Sequence, residues 1–340
     1  MRLGAGPTQL SPFSRYFHPF GGMSTSKVRW VLDWDGTITQ KDTIENLAYI
    51  ACEYHKHHNN NPIIPPKEVD KIWSDIVTAY AKDLEQHLRT YHPAATRRKT
   101  LQEEIAWLKS LKQVEERSIE RVEESQIFKG LTALNLRTGV EEAVETGKIT
   151  LRPGWEILFL TQPDTVILSV NWSRLFIKHA MKASVSQLAL PEEQKESLRN
   201  RILGLRILAN ELEGLHMCTS TTGRLGTRSG GDIRTSAHKL RAFQMLKDTT
   251  LTEDIKWVYV GDSTTDLECL MAADVGIFIK DDPAGRGQKE LVETLKRVDV
   301  SVQHISSLSR ETLEGSSKTL WWIKDFSDVL DTVIRIKRAI

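Results

Sequence analysis

Apolar residues along this chain follow two rhythms. Short runs are apolar at nearly every position: 28–33, 165–170 ("TVILSV"), 256–262 ("KWVYVGD") and 275–279 ("VGIFI"). Such runs, bounded by turn formers, predict strands buried on both faces. "LRILANELE" contains one more. Between them, apolar residues recur at steps of three and four. Residues 43–54 carry Ile44, Leu47, Ala48 and Ala51 on one face, and 173–182 carry Leu175, Phe176 and Ala180. Residues 237–246 and 267–272 also read as helices, and "RPGWEILFLTQ" as a helix started by proline. Strands alternating with helices predict an α/β fold with a doubly wound parallel sheet.

From residue 66 to about 145 the helical rhythm is unbroken by strands. "KEVDKIWSDIVTAYAKDLEQHL" places Val69, Ile72, Ile76 and Tyr80 on one side. "TLQEEIAWLKSLKQVEERSIERVEES" does the same with Leu101, Ile105, Leu108 and Leu111, and its charges form wet faces. A third helix is expected within 131–145. The pattern divides the chain into a tail at 1–27, a core at 28–40 and 150–340, and an all-helical insertion at 41–149. "HKHHNNNPIIPP" reads as a loop, and its His55, His57 and His58 lack Cys or carboxylate partners at ligand spacing. "CTSTTGRLGTRSGG" reads as a hairpin or irregular loop, "DDPAGRGQ" as a loop, and "TLWWIKDFSDVLDTVI" as a closing helix or helix pair.

Composition narrows the classes. At 340 residues, one enlarged domain or two are expected. The net charge of +1 gives no global pull toward nucleic acid. No apolar stretch approaches the roughly 20 residues of a helical membrane span. The three cysteines, Cys52, Cys218 and Cys269, show neither disulfide nor zinc spacing, so core packing and a reducing, cytoplasmic compartment are expected. The acid-free opening, with Arg2 and Arg15 beside Gly and Pro, is expected to be an unstructured tail rather than a targeting helix.

The chemistry collects where strands end. The first strand stops at Asp33, with Asp35 two residues on, then Gly36 and Thr37. The second stops at Ser169, followed by Asn171. The strand at 256–260 runs into Gly261 and Asp262, with Asp266 one turn later. A doubly wound sheet binds ligands beyond the carboxyl ends of its strands. Carboxylates converging at one rim repel unless a cation offsets them, and a set of oxygen donors suits a hard ion such as Mg²⁺.

"DWDGT" followed by "GDSTTD", with Ser169 closing the second strand and Lys239 in "TSAHKLRAF" between, resembles the haloacid dehalogenase superfamily of phosphotransferases. The ordered set of four motifs covers 28 to about 279. The resemblance implies that Asp33 is a nucleophile forming an aspartyl-phosphate, and that Asp35 is the general acid and then base. It implies Mg²⁺ on the Asp33 side chain, the Asp35 carbonyl and Asp262, with Asp266 as an outer or direct ligand. Ser169 would bond a phosphoryl oxygen, and Lys239 would offset charge. Gly36, Thr37 and Asn171 would border the substrate. An acid at Asp35 matches the family's phosphatases rather than its dehalogenases. The insertion would be a cap over a small phosphorylated metabolite. The chain is most similar to the phosphoserine phosphatase-like branch. "LSVNWS" also resembles the phosphatase part of plant thiamin-monophosphate-processing proteins and fungal relatives. Arg117, Arg121 and Lys109 are candidate cations for an anionic substrate, though wet helix faces explain them equally. A silent scaffold of the same fold and a phosphomutase are the alternatives.

Overall fold

The computed structural model describes residues 27–57, 63–215, 219–226, 232–249, 255–314, 318–327 and 329–339. The expected tail, His58, Cys218 and the end of the glycine-rich stretch, 227–231, lie outside them.

Seven strands form one parallel sheet: β1 (Lys27–Leu32), β2 (Val166–Leu168), β3 (Arg206–Leu208), β6 (Ile255–Gly261), β7 (Val275–Ile279), β8 (Ser301–His304) and β9 (Thr319–Ile323). Their order is β3-β2-β1-β6-β7-β9-β8. The remaining two strands, β4 (Glu211–Leu212) and β5 (Leu225–Gly226), make a small antiparallel pair, of which only β5 falls within the stretch predicted as a hairpin or irregular loop. Side chains alternate between the sheet's two faces. Trp30, Leu32, Val258 and Val260 enter one core, and Val31, Trp257 and Tyr259 the other.

Helices cover both faces. The insertion supplies α1 (Ile44–His57), α2 (Val69–Thr90), α3 (Leu101–Ser110), α4 (Lys112–Ser125) and α5 (Ala133–Glu145). The core supplies α6 (Trp155–Thr161), α7 (Arg174–Ser186), α8 (Glu192–Gly204), α9 (Ser236–Asp248), α10 (Leu267–Ala272), α11 (Arg286–Arg297), α12 (Arg310–Leu313) and α13 (Val329–Ala339). The insertion leaves and returns at one place. Thr39 bridges Leu151, Gln40 N–H donates to the Thr150 carbonyl (3.0 Å), and Arg152 N–H donates to Ile38 (2.8 Å).

Four expectations need correction. The run "TLWWI" is a sheet strand, β9, with helix only from Val329. Leu320, Trp321 and Ile323 are buried on both sides, where helix and strand periods cannot be told apart. The predicted helix at 101–125 is two helices, broken at Leu111. Residues 286–288 of the predicted loop begin α11, which the sequence reading passed over together with α8 and β8. Finally, α1 extends through His55 and His57, and His55 is buried against the Ile127 carbonyl at 2.9 Å, tied to protein rather than solvated. Cys52 and Cys269 are free thiols in the core, as expected. Among the described residues no helix is long and apolar enough to cross a membrane.

The insertion is tied to the sheet's second face through α3. Trp107 and Leu108 pack with Phe243 and Trp257, and Arg98 lies over the Trp107 ring. Glu104, 2% exposed, meets Arg98 Nε at 3.1 Å and Arg297 Nη2 at 2.5 Å. Replacing it would strand two arginines around a dry cavity. Glu104→Ala is therefore expected to cost about 3–5 kcal/mol in urea unfolding. A loss under about 1 kcal/mol, the value of a surface pair, would show that this tie does not hold the insertion down.

Candidate active site

Register brings the strand ends together. Leu32 pairs with Val260 on one side and Ile167 on the other, so β1, β2 and β6 stop nearly level. Asp33 follows β1, Ser169 follows β2, and Asp262 follows β6. The Asp33 N–H still donates to the Val260 carbonyl (2.9 Å), which fixes its backbone to the β6 edge.

Lys239 lies at the centre. It sits in the first turn of α9, capped by Thr235, and is fully buried. Its ammonium meets Asp33 Oδ1 and Asp266 Oδ1, both at 2.7 Å. Asp266 is saturated. Its Oδ1 also accepts the Tyr259 hydroxyl (2.7 Å), and its Oδ2 accepts the N–H groups of Asp262 (3.1 Å) and Ser263 (3.2 Å). It holds Lys239 with one oxygen and the 261–263 turn with the other. Gly261 is required there, because a Cβ would stand 2.4 Å from the Asp266 carboxyl carbon.

Asp35 is held from three sides. Thr43 donates its N–H (2.7 Å) and O–H (2.6 Å) to Oδ1, and Asn171 Nδ2 donates to Oδ2 (3.0 Å). Trp34 Nε1 donates to the Thr43 hydroxyl at 3.1 Å and fixes it in turn. Asn171 is buried and its N–H donates to Ser169 Oγ at 3.1 Å. Gly36 takes φ +71°, and a Cβ there would lie 2.2 Å from Asp262 Oδ2, so only glycine fits. Thr37 Oγ1 reaches Asp262 Oδ1 at 3.5 Å.

Ligand oxygens of Asp33, Asp262 and Asp266 lie within 4.8 Å of one another. Burial, then the Asp266 charge, raises Asp33 to about 8. Burial, then Asp42, raises Asp35 to about 7. Burial, then Asp266 and Asp33, raises Asp262 well above the usual carboxylate range. Burial works against the Lys239 ammonium, yet Asp266 and Asp33 outweigh it and raise its pKa. Three carboxylates, Asp33, Asp262 and Asp266, thus gather about one buried ammonium, with Asp35 near Asp33. All are oxygen donors, and the chemistry of that set fits a hard divalent ion.

The architecture is a parallel α/β sheet flanked by helices, with an all-helical insertion. Every residue that the motifs single out, from Asp33 to Asp266, falls at this one rim. No protein-family model matches the chain. It is similar to the CTO1 family protein C17G9.12c of Schizosaccharomyces pombe, with 28% identity over 282 residues, 80% of this chain and 89% of that protein. Among solved structures it is similar to a phospho-aspartyl intermediate analogue of phosphoserine phosphatase (16% identity, 90% of this chain, 99% of that one, TM-score 0.40). It is also similar to a functionally unknown protein from Anaerococcus prevotii (15% identity, 86% and 85% covered, TM-score 0.44).

Sequence reasoning missed four supports of this site. Arg152, 4% exposed, donates to the Gly36 carbonyl (2.8 Å) and pairs with Asp281 (2.6 Å), which Gln288 also holds (2.8 Å). It ties the Asp33 loop to the β7 edge. Thr43 and Tyr259 steady Asp35 and Asp266. Asn210 donates to the Val170, Asn171 and Ile233 carbonyls (3.0, 3.1 and 2.9 Å) and pins the loop after Ser169. An arginine in the otherwise apolar "ITLRPGW" is the signal that was there to find. Arg117 and Arg121 both turn to Asp83 on α2, and Lys109 is exposed.

The raised carboxylates make a stability prediction. Asp33 binds its proton up to about 8 when folded but only to 3.8 when unfolded. The native state holds more protons between these values, so stability falls as pH rises through the window. Removing one acid relieves this. Asp262→Asn, unfolded in EDTA at pH 5 and pH 8, is expected to be more stable than the parent at pH 8 and to lose less between the two. The gain is on the order of 1 kcal/mol or more, since one pKa unit is worth about 1.4 kcal/mol. An unchanged or steeper pH slope would show that these carboxylates do not repel as described.

Proposed function

We propose that the protein is a Mg²⁺-dependent phosphatase that hydrolyses a small phosphate monoester through phospho-Asp33. One observation carries this reading: buried Lys239 bridges Asp33 and Asp266 at the level rim where Asp35, Ser169 and Asp262 also stand. Asp33 and Asp262 side chains would hold the ion. Asp266, its oxygens already engaged, would support it from behind. When bound, the ion neutralises charge on phosphate and nucleophile.

An ionised Asp33 oxygen attacks phosphorus, and the P–O bond to the alcohol breaks. Lys239 favours the ionised form of Asp33 and limits its repulsion by the incoming phosphate. Asp35, raised to about 7, can carry a proton near neutrality, and it gives that proton to the departing alcohol. In the second step Asp35 takes a proton from water, the water oxygen attacks phospho-Asp33, and phosphate leaves with Asp33 restored. Thr43 and Asn171 aim Asp35 throughout. Ser169 Oγ accepts from the Asn171 N–H, which leaves its own O–H to donate to a phosphoryl oxygen.

Hydrolysis of p-nitrophenyl phosphate checks the roles. With Mg²⁺ the parent is expected to turn it over, and EDTA to stop it. Asp33→Asn should fall by more than about 10³-fold, the size of a lost nucleophile. Asp35→Asn should slow by about 10²–10⁴-fold on an ester with a poor leaving group, as expected for a lost general acid. Undiminished turnover in Asp33→Asn would rule out the covalent route.

A further inference from the structure

Cavities border the sheet at both ends. One, of about 350 Å³, adjoins the rim between Val170 and Thr265 of the core and Trp73, Tyr80 and Glu115 of the insertion. Another, of about 400 Å³, lies at the amino ends of β1, β2 and β3. Its Arg29 stands four residues before Asp33 on β1, about 13 Å away at the rise of a strand. None of the residues gathered at the rim lines it.

Two arginines of this second cavity occupy strand positions that face a core. Arg29 pairs in register with Trp257, and Arg206 with Val166, which pairs in turn with Val31. Val31, Val166 and Trp257 are all core residues of that face. A third arginine, Arg201, comes from the last turn of α8. Among the described residues no carboxylate pairs with any of the three, and none of their guanidinium groups donates a hydrogen bond. Their neighbour on α8 behaves differently: Arg199 pairs with Glu192 at 2.6 Å and with Glu196 at 3.3 Å. Arg29 is held instead over the Trp257 ring, 5.7 Å from its centroid. That contact steadies the guanidinium and leaves its N–H groups unused.

Counter-charge at the cavity falls short. Asp164 lies on the lining but pairs with none of the three arginines. The carboxyl ends of α6 and α8 also close the cavity, and each supplies about half a negative charge. Roughly one positive charge is left over. Acceptors are unspent as well. Gln162, 8% exposed, donates its Nε2 to the Thr161 carbonyl at 2.9 Å, and its Oε1 accepts nothing among the described residues. A carboxylate has two oxygens, which one guanidinium fork can satisfy. Three forks from three elements match the three terminal oxygens of a phosphate. Asp164 and the Gln162 oxygen match hydroxyl groups on the body that carries it.

We propose that this cavity binds a small phosphorylated polyol, with the phosphate on Arg29, Arg201 and Arg206 and hydroxyl groups on Asp164 and Gln162. The acid cluster found among the described residues is at the rim, so the ligand is held here rather than hydrolysed. The assignment does not depend on the phosphatase reading and is tested by binding alone. Calorimetric titration in EDTA uses ribose 5-phosphate, glucose 6-phosphate, AMP, inorganic phosphate and ribose. The parent is expected to bind a phosphorylated polyol at one site per chain, about tenfold or more tighter than inorganic phosphate, and to ignore ribose. AMP against ribose 5-phosphate separates a nucleotide source from a free sugar phosphate. In the double variant Arg201→Gln, Arg206→Gln affinity should fall by about 10²-fold, as for two lost charge-assisted hydrogen bonds. Asp164→Ala should weaken the polyols and leave inorganic phosphate unchanged. Asp262→Asn, which alters the rim, should bind as the parent does. Failure of every phosphorylated polyol to bind would overturn the assignment. So would affinity unchanged in the double variant, binding lost in Asp262→Asn, or equal affinity for inorganic phosphate.

Discussion

The ion bridge from Lys239 to Asp33 and Asp266 is the constraint on which the site depends. A lone buried lysine would lose its charge, and two buried carboxylates would take up protons. Placed 2.7 Å from both, the ammonium keeps its proton and lets two acids share one dry place. It does not balance them all. Asp33, Asp35 and Asp262 all stay above the ordinary carboxylate range, chiefly through burial. This imbalance weakens the fold and creates the demand for a further cation. A site that destabilises its own chain in this way is typical of places shaped for chemistry.

The sheet delivers these groups cheaply in structural terms. Three parallel strands stop at one level, so residues 33, 169 and 262 meet although they are far apart in sequence. Small residues then let the loops close up, since Gly36 and Gly261 sit where any Cβ would strike Asp262 or Asp266. Arg152 and Asn210 hold the loops down from outside. The insertion adds the opposing wall and is fastened through Glu104 and its two arginines. The clustered acids and the wall that faces them thus come from different parts of the chain.

Much of this was legible in the sequence for physical reasons. Strands such as "KWVYVGD" are short, apolar and closed by turn chemistry, so both their presence and the acids at their ends could be read. Lys239 was harder, because one lysine on a helix usually faces water; only burial distinguishes it from Lys247. "TLWWI" misled because a fully buried run carries no period, and length with bulky aromatic content was the better guide. Helices α8 and α11 escaped because their charged faces mask narrow apolar stripes. Thr43, Tyr259 and Asn210 act through hydrogen bonds, which leave no pattern along a chain. Glu115 looked like one more charge on a wet face until α2 brought Tyr80 against it.

The claim that unbalanced carboxylates call for one divalent cation is tested most directly by calorimetric titration of the metal-free chain with Mg²⁺ at pH 8. The account predicts one ion bound per chain, with proton release, and loss of that binding in both Asp33→Asn and Asp262→Asn. Absence of Mg²⁺ binding, or binding that survives both substitutions, would contradict it.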